Sequence, residues 1–217
     1  MNAPPFTALP AAFILASASP IRARILADAG VAHRCLPVVV DEESVRGAAQ
    51  AENLPAGDIA VLLAEMKARA AAQKLSAGQQ TTPPYILGCD QILLADEKII
   101  SKPASVADAR AQLLSLAGKT HTLLTAAVLF RGDERIWHHL ATPRITMRLF
   151  DDAFVDSYLA VLGPVALSTP ASYQIEGIGV QLMQKVAGCH FAIMGLPLVE
   201  LLGFLREHGL APQGTAL

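Results

Sequence analysis

Apolar and polar residues fall in short blocks along this chain, and the spacing within the blocks predicts a mixed order of strands and helices. The run FILA at Phe13–Ala16 predicts a short buried strand. Ser19 and Pro20 then open a helix, since a serine caps the first turn and a proline fits it. That helix should stop near Asp28, Ala29 and Gly30, where glycine tolerates the left-handed turn. Residues 35–40 read as a second strand. Residues 55–73 are alanine-rich with helical spacing, and Leu62, Leu63 and Met66 form the expected apolar face.

The pattern continues with a buried strand at 85–89 and a hairpin pairing 92–95 with 98–101 across Asp96 and Glu97. A helix is predicted over 106–116. A long hairpin follows, with arms 120–130 and 135–149 turning at Gly132 and Asp133. An acid-started helix at 151–162, an irregular stretch at 163–175, a strand at 180–184 and a closing helix at 196–208 complete the series. No internal repeat and no linker interrupts it. The expectation is one α/β domain over residues 1–217, in two lobes, with flexible ends at 1–10 and 211–217.

Composition narrows the functional classes. The chain has 217 residues, is 53% hydrophobic and carries a net charge of -2, enough for a substantial core but without the basic field of a nucleic-acid binder. No stable nucleic-acid partner is expected. Cys35, Cys89 and Cys189 are odd in number and far apart, which argues against a disulfide framework or a zinc site. Cys35 and Cys89 sit in apolar runs and read as buried thiols. Pro4, Pro5 and Pro10 break the apolar start, and no stretch approaches the ~20 apolar residues of a membrane helix. A soluble cytoplasmic protein is expected.

Candidate chemistry begins at SASPIRAR, residues 17–24. A strand, a serine-rich turn and a helix start expose free N–H groups and the positive end of the helix dipole. Ser17 and Ser19 add hydroxyls, and Arg22 lies one turn in, able to reach a phosphate with its guanidinium fork. Carboxylates and a lysine stand at other element ends: Asp41 and Glu42 after a strand, Asp90 after YILGC, and Lys102 before Pro103. Each alone is more readily an ordinary solvated loop charge. Together with an anion site they supply what a metal-bound polyphosphate needs. Lys67, by spacing alone, is an exposed helical lysine beside Glu65.

Other patterns fail on inspection. GKT at 118–120 resembles the end of a P-loop, but Leu113 occupies the required glycine position, and GKT here enters a strand. Gly177-Ile178-Gly179 has no third glycine at dinucleotide-motif spacing. His138 and His139 are adjacent and point to opposite faces of a strand.

One resemblance spans almost the whole chain. ILASASPIRARIL is similar to the opening signature of Maf proteins. VDE at 40–42, LAEMKARA at 63–70, LGCDQ at 87–91, SKP at 101–103, LAGKTHTLLTA at 116–126 and GLPL at 195–198 follow in the family's order. The resemblance implies an α/β fold similar to inosine-triphosphate pyrophosphatase, with a mixed sheet, flanking helices and a cleft between two lobes. It implies hydrolysis of a nucleoside triphosphate to its monophosphate and pyrophosphate, with Mg2+ or Mn2+ as cofactor. Asp90 matches the position of the proton acceptor. Ser17, Arg22, Glu42, Lys67 and Lys102 match the family's polar active-site positions; with Ser19 from the same turn, the serines, Arg22 and the two lysines are expected to bind substrate, and Glu42 with Asp90 to hold the metal. A cytoplasmic homodimer is also implied. A second implied role, inhibition of septum formation by binding a partner without catalysis, stands as the alternative, and a nucleotide sensor without turnover as a third.

Departures bear on the base. Pyrimidine-directed members carry arginine at the position of Ile21, threonine at that of Gln91 and glutamine at that of Glu176. Gln91 and Glu176 are instead similar to the 7-methyl-GTP branch. That branch has tryptophan where this chain has Ile21, which cannot stack on a ring. Glu176 accepts hydrogen bonds, as a guanine edge requires, and Gln91 both donates and accepts. Ser168 and Thr169 replace an aspartate and lysine of the pyrimidine-type members.

Overall fold

The computed structural model describes residues 13–76 and 82–211. The expected flexible ends fall outside these residues, apart from Ala211. The strands are β1 (Phe13–Ala16), β2 (Arg34–Cys35), β3 (Tyr85–Ala95), β4 (Lys98–Ile100), β5 (Thr120–Arg131), β6 (Glu134–Ala141), β7 (Arg144–Met147) and β8 (Met183–Ala187). The helices are α1 (Pro20–Asp28), α2 (Glu42–Ala51), α3 (Ala56–Ser76), α4 (Val106–Leu116), α5 (Asp152–Leu162), α6 (His190–Ile193) and α7 (Leu198–Glu207). The eight strands form one mixed sheet in the order β2-β1-β3-β5-β7-β8, with β4 paired to β3 and β6 to β5. The expected α/β class is therefore observed. No helix of the described residues is long and apolar enough to cross a membrane.

The chain divides into two compact units. Unit 1 comprises residues up to Asp90, Thr125–Leu140 and the chain from Gly195; unit 2 comprises Gln91–Leu124 and Ala141–Met194. In unit 1, β1 runs parallel to both β2 and β3. All four residues of β1 are buried, as expected for a parallel strand covered on both faces. The buried face of α3 is built from Ile59, Ala60, Leu63, Ala64, Ala68 and Ala71, whereas Leu62 is 36% exposed. Small side chains on this face let α3 lie close to β3. At Gly88 a Cβ would stand 2.1 Å from the Ala64 carbonyl oxygen, so only glycine fits there. In unit 2, α4 and α5 share a core with β7 that includes Leu113, Leu116, Ile145, Val155 and Leu159.

Several sequence expectations change. The strand expected at 35–40 is confined to Arg34–Cys35. Pro37 has no N–H to donate to a ladder, and Val39 is 93% exposed. Cys35 is consequently exposed rather than buried, while Cys89 is buried as expected. The arm expected at 135–149 is two strands, separated where Pro143 removes a donor. The strand placed at 180–184 begins at Met183, because residues 178–182 form a 3-10 turn. Asp90 does not end its strand. It lies in the middle of β3, which continues as one 11-residue strand to Ala95. The helix α2 was not foreseen; its signal was DEES, in which the Asp41 side chain accepts from the Ser44 N–H.

Candidate active site

Four elements of unit 1 carry the predicted chemistry. The first is the turn between β1 and α1. Ser19 caps α1, its Oγ accepting from the Arg22 N–H at 3.4 Å, and Pro20 starts the helix. No acidic residue occupies the first turn of α1, so nothing there offsets the positive end of the dipole. Ser17 is buried, and its Oγ accepts from the Ser19 N–H at 3.1 Å and from Arg22 Nη1 at 3.4 Å.

Arg22 is not the free fork expected from the sequence. Its Nε donates to the Gly195 carbonyl at 2.7 Å, and Nη1 also donates to the Cys89 carbonyl at 3.2 Å. Nη2 has no protein partner among the described residues. The guanidinium thus ties the serine turn to the peptide that immediately precedes Asp90. Both carbonyl partners are backbone groups, which no side-chain pattern could have revealed.

The second feature is a lysine clamped between two carboxylates. Lys67 on α3 lies 2.6 Å from Asp90 Oδ1 and 2.7 Å from Glu42 Oε1. Its side chain is 12% exposed, so the exposed helical lysine that spacing suggested is not what folds. Asp90 is 4% exposed. Burial pushes its carboxyl above the usual carboxylate range; the Lys67 ammonium and then Arg22 oppose that rise, and Glu42 adds to it. Asp90 Oδ2 is buried with no hydrogen-bond partner among the described residues. Glu42 opens α2 and keeps 40% of its side chain exposed.

The structure therefore brings Ser17, Ser19, Arg22, Glu42, Lys67 and Asp90 together in unit 1, with Ile21 half-buried on α1. Gln91, Lys102 and Glu176 belong to unit 2. There the Gln91 amide donates to the Ala192 and Ile193 carbonyls at 3.0 and 3.1 Å, and Lys102 and Glu176 are exposed. No group of three or more histidine, cysteine, aspartate or glutamate residues is placed to hold a metal among the described residues. A two-carboxylate site remains: Asp90 and Glu42 converge on one cation, and Asp90 has an oxygen to spare. Magnesium commonly binds through one or two carboxylates and completes its shell with water and substrate phosphates. The donor set fits such an ion.

These features define an α/β protein with a serine–arginine turn at a helix start beside a lysine-bridged carboxylate pair. The comparisons agree on what kind of protein carries them. The chain belongs to the Maf-like protein family, whose profile matches residues 12–208. It is 44% identical over 197 residues to a nucleoside triphosphate pyrophosphatase of Rhodospirillum rubrum, covering 91% of this chain and 95% of that protein. It is 43% identical to a nucleoside triphosphate pyrophosphatase of Gluconobacter oxydans, covering 89% and 93%. It is also 40% identical to a 7-methyl-GTP pyrophosphatase of Mesorhizobium japonicum, covering 90% and 96%.

Proposed function

We propose that this chain is a nucleoside triphosphate pyrophosphatase, releasing pyrophosphate and a nucleoside monophosphate. The observation that carries the reading is the buried Asp90 carboxylate, held on one oxygen by Lys67 and unpartnered on the other, next to the Arg22 anion turn. Family membership and the names of the relatives support it.

In this mechanism Ser17, Ser19, Arg22 and the start of α1 receive phosphate oxygens; the family resemblance assigns Lys102 to phosphate binding as well. Asp90 is the proton acceptor. A water oxygen forms a bond to phosphorus as its proton passes to the Asp90 carboxylate, the bond between the α and β phosphates breaks, and pyrophosphate leaves. Burial raises the proton affinity of Asp90, as a proton acceptor requires, and the Lys67 ammonium and Arg22 oppose part of that rise. Glu42 and Asp90 would hold a divalent cation such as Mg2+ or Mn2+, which would supply positive charge against the phosphates. Lys67 then carries charge that phosphate oxygens can share.

The base is read by Gln91 and Glu176, with Ile21 on the first turn of α1. The Gln91 donors bonded to the α6 carbonyls are not spare for a ligand, and Glu176 offers acceptors only, which favours a base edge rich in N–H groups. A purine, including 7-methyl-GTP, is the proposed substrate class. The protein is proposed to act in the cytoplasm and as a homodimer. The test is pyrophosphate release from 7-methyl-GTP, GTP, dTTP and UTP with Mg2+ or Mn2+. Release from the guanine nucleotides is expected to exceed that from the pyrimidines. Equal or greater pyrimidine turnover would overturn the base assignment, and no release from any of the four would overturn the enzymatic reading.

A further inference from the structure

Arg22 is useful to a phosphate only if its guanidinium stays where the fold holds it, and that placement depends on a residue with no side chain. Gly195 lies between α6 and α7 with φ +101°, in the left-handed region that favours glycine. Its carbonyl accepts the Arg22 Nε–H at 2.7 Å, the shortest of the three acceptor contacts on that guanidinium. A Cβ built at this position would lie 3.1 Å from Arg22 Nε, 3.3 Å from Nη2 and 3.6 Å from Cζ. The missing side chain therefore leaves the space in which the guanidinium lies.

We infer that Gly195 is a positioning residue for Arg22: its carbonyl fixes Nε and its bare α-carbon leaves room for the Nε–Nη2 edge of the guanidinium, so that the outer N–H of Nη2 is presented to the phosphate. The geometry of the arginine explains why this matters. Nε is committed to Gly195, and Nη1 is shared between Ser17 and Cys89. Only Nη2 and the remaining Nη1 capacity can meet a ligand. A guanidinium turned by one contact would spend its outward donors on the wrong side, because the five N–H groups are fixed in one plane. Glycine here does two things at once. It adopts a backbone conformation that other residues adopt at a cost, and it leaves open the space beside the Nε–Nη2 edge that a side chain would fill. The inference rests on the proposed phosphate role of Arg22.

The test is a double-mutant cycle of Gly195→Ala and Arg22→Ala, read as kcat, KM and thermal midpoint with whichever triphosphate gives pyrophosphate release. Gly195→Ala is expected to lower kcat/KM by at least about tenfold, the order that misplacing a contact group costs. In the Arg22→Ala background the same change is expected to alter kcat/KM less than about twofold, because there is no guanidinium left to displace. A full tenfold loss in both backgrounds, or no loss in the first, overturns the inference. Arg22→Ala leaving kcat/KM unchanged defeats instead the phosphate role on which it stands.

A second measurement covers a Gly195→Ala protein that does not fold, or a wild-type chain that turns over none of the triphosphates. In the unaltered protein the Arg22 Nε–H, assigned by its loss in Arg22→Lys, is expected to give a sharp NMR signal resolved from the exposed arginines and slow to exchange. An Arg22 signal averaged with those of the exposed arginines overturns the positioning role.

Discussion

Asp90 in unit 1 and His121 in unit 2 are both buried ionisable groups, and they are treated in opposite ways. Asp90, 4% exposed, faces the Lys67 ammonium at 2.6 Å, with Arg22 and Glu42 also acting on it. His121, 1% exposed, has the neutral Tyr173 hydroxyl at 2.7 Å, and among the described residues its Nδ1 has no hydrogen-bond partner. Burial alone pushes His121 down to about 4, so it stays neutral at physiological pH. Nearby, the Tyr158 hydroxyl donates to the Ser172 carbonyl. Unit 2 thus buries polar groups uncharged, which costs less than burying charge even where one atom, such as His121 Nδ1, is left without a partner. Unit 1 buries charge, which is expensive and brings little net stability compared with an apolar core. A fold that spends stability on a charged cluster in one unit and avoids it in the other marks the first as the place where charge is used.

The largest effect that sharpens this contrast belongs to Asp90. Asp90→Asn keeps the size and removes the proposed proton acceptor, so kcat is expected to fall about 10²–10⁴-fold, measured by pyrophosphate release on protein whose thermal midpoint is checked. Lys67→Met comes next. It leaves Asp90 and Glu42 facing each other without a cation, and a loss of roughly 3 kcal/mol is expected in denaturant unfolding, in line with breaking one partner of a buried pair. An unchanged midpoint would show that the cluster carries no buried charge and would erase the difference between the units.

The smallest effect is on pH dependence. The folded-state value of His121 is lowered from about 6.5 to about 4, so between these values the unfolded chain binds the proton more readily. Its contribution to stability is full above 6.5 and is lost as pH falls toward 4. Asp90 has the opposite sign: its folded value is raised, so its contribution is fullest at low pH and declines as pH rises through that value. His121→Phe should therefore flatten the acid limb of a stability–pH curve and leave the contribution of Asp90 in place. An acid limb unchanged by the substitution would contradict the assignment.

Part of this arrangement is written in local chemistry and part is not. Ser19 and Pro20 announce the start of α1 because capping depends only on neighbouring residues. Asp90 is visible as a charge interrupting an apolar run, although its place inside a continuous β3 is set by pairing along the sheet. Lys67 is hidden from spacing because the buried face of α3 is largely alanine, which does not look like a core stripe until Gly88 is seen admitting the helix. Only the resemblance to Maf proteins singled it out. The carbonyls of Cys89 and Gly195, which fix Arg22, have no sequence signature. Residues 35–40 mislead for the reverse reason: valines favour strands, but Pro37 and the lack of a covering layer over Val39 leave most of the run unpaired.

The central claim is that the buried carboxylate of unit 1 drives cleavage between the α and β phosphates of a nucleotide. Phosphorus NMR of 7-methyl-GTP or GTP incubated with Mg2+ and either the wild-type chain or Asp90→Asn tests it directly. The account predicts paired signals of pyrophosphate and nucleoside monophosphate growing with the wild type and absent with the variant. Orthophosphate with nucleoside diphosphate, or equal pyrophosphate from both proteins, would contradict it.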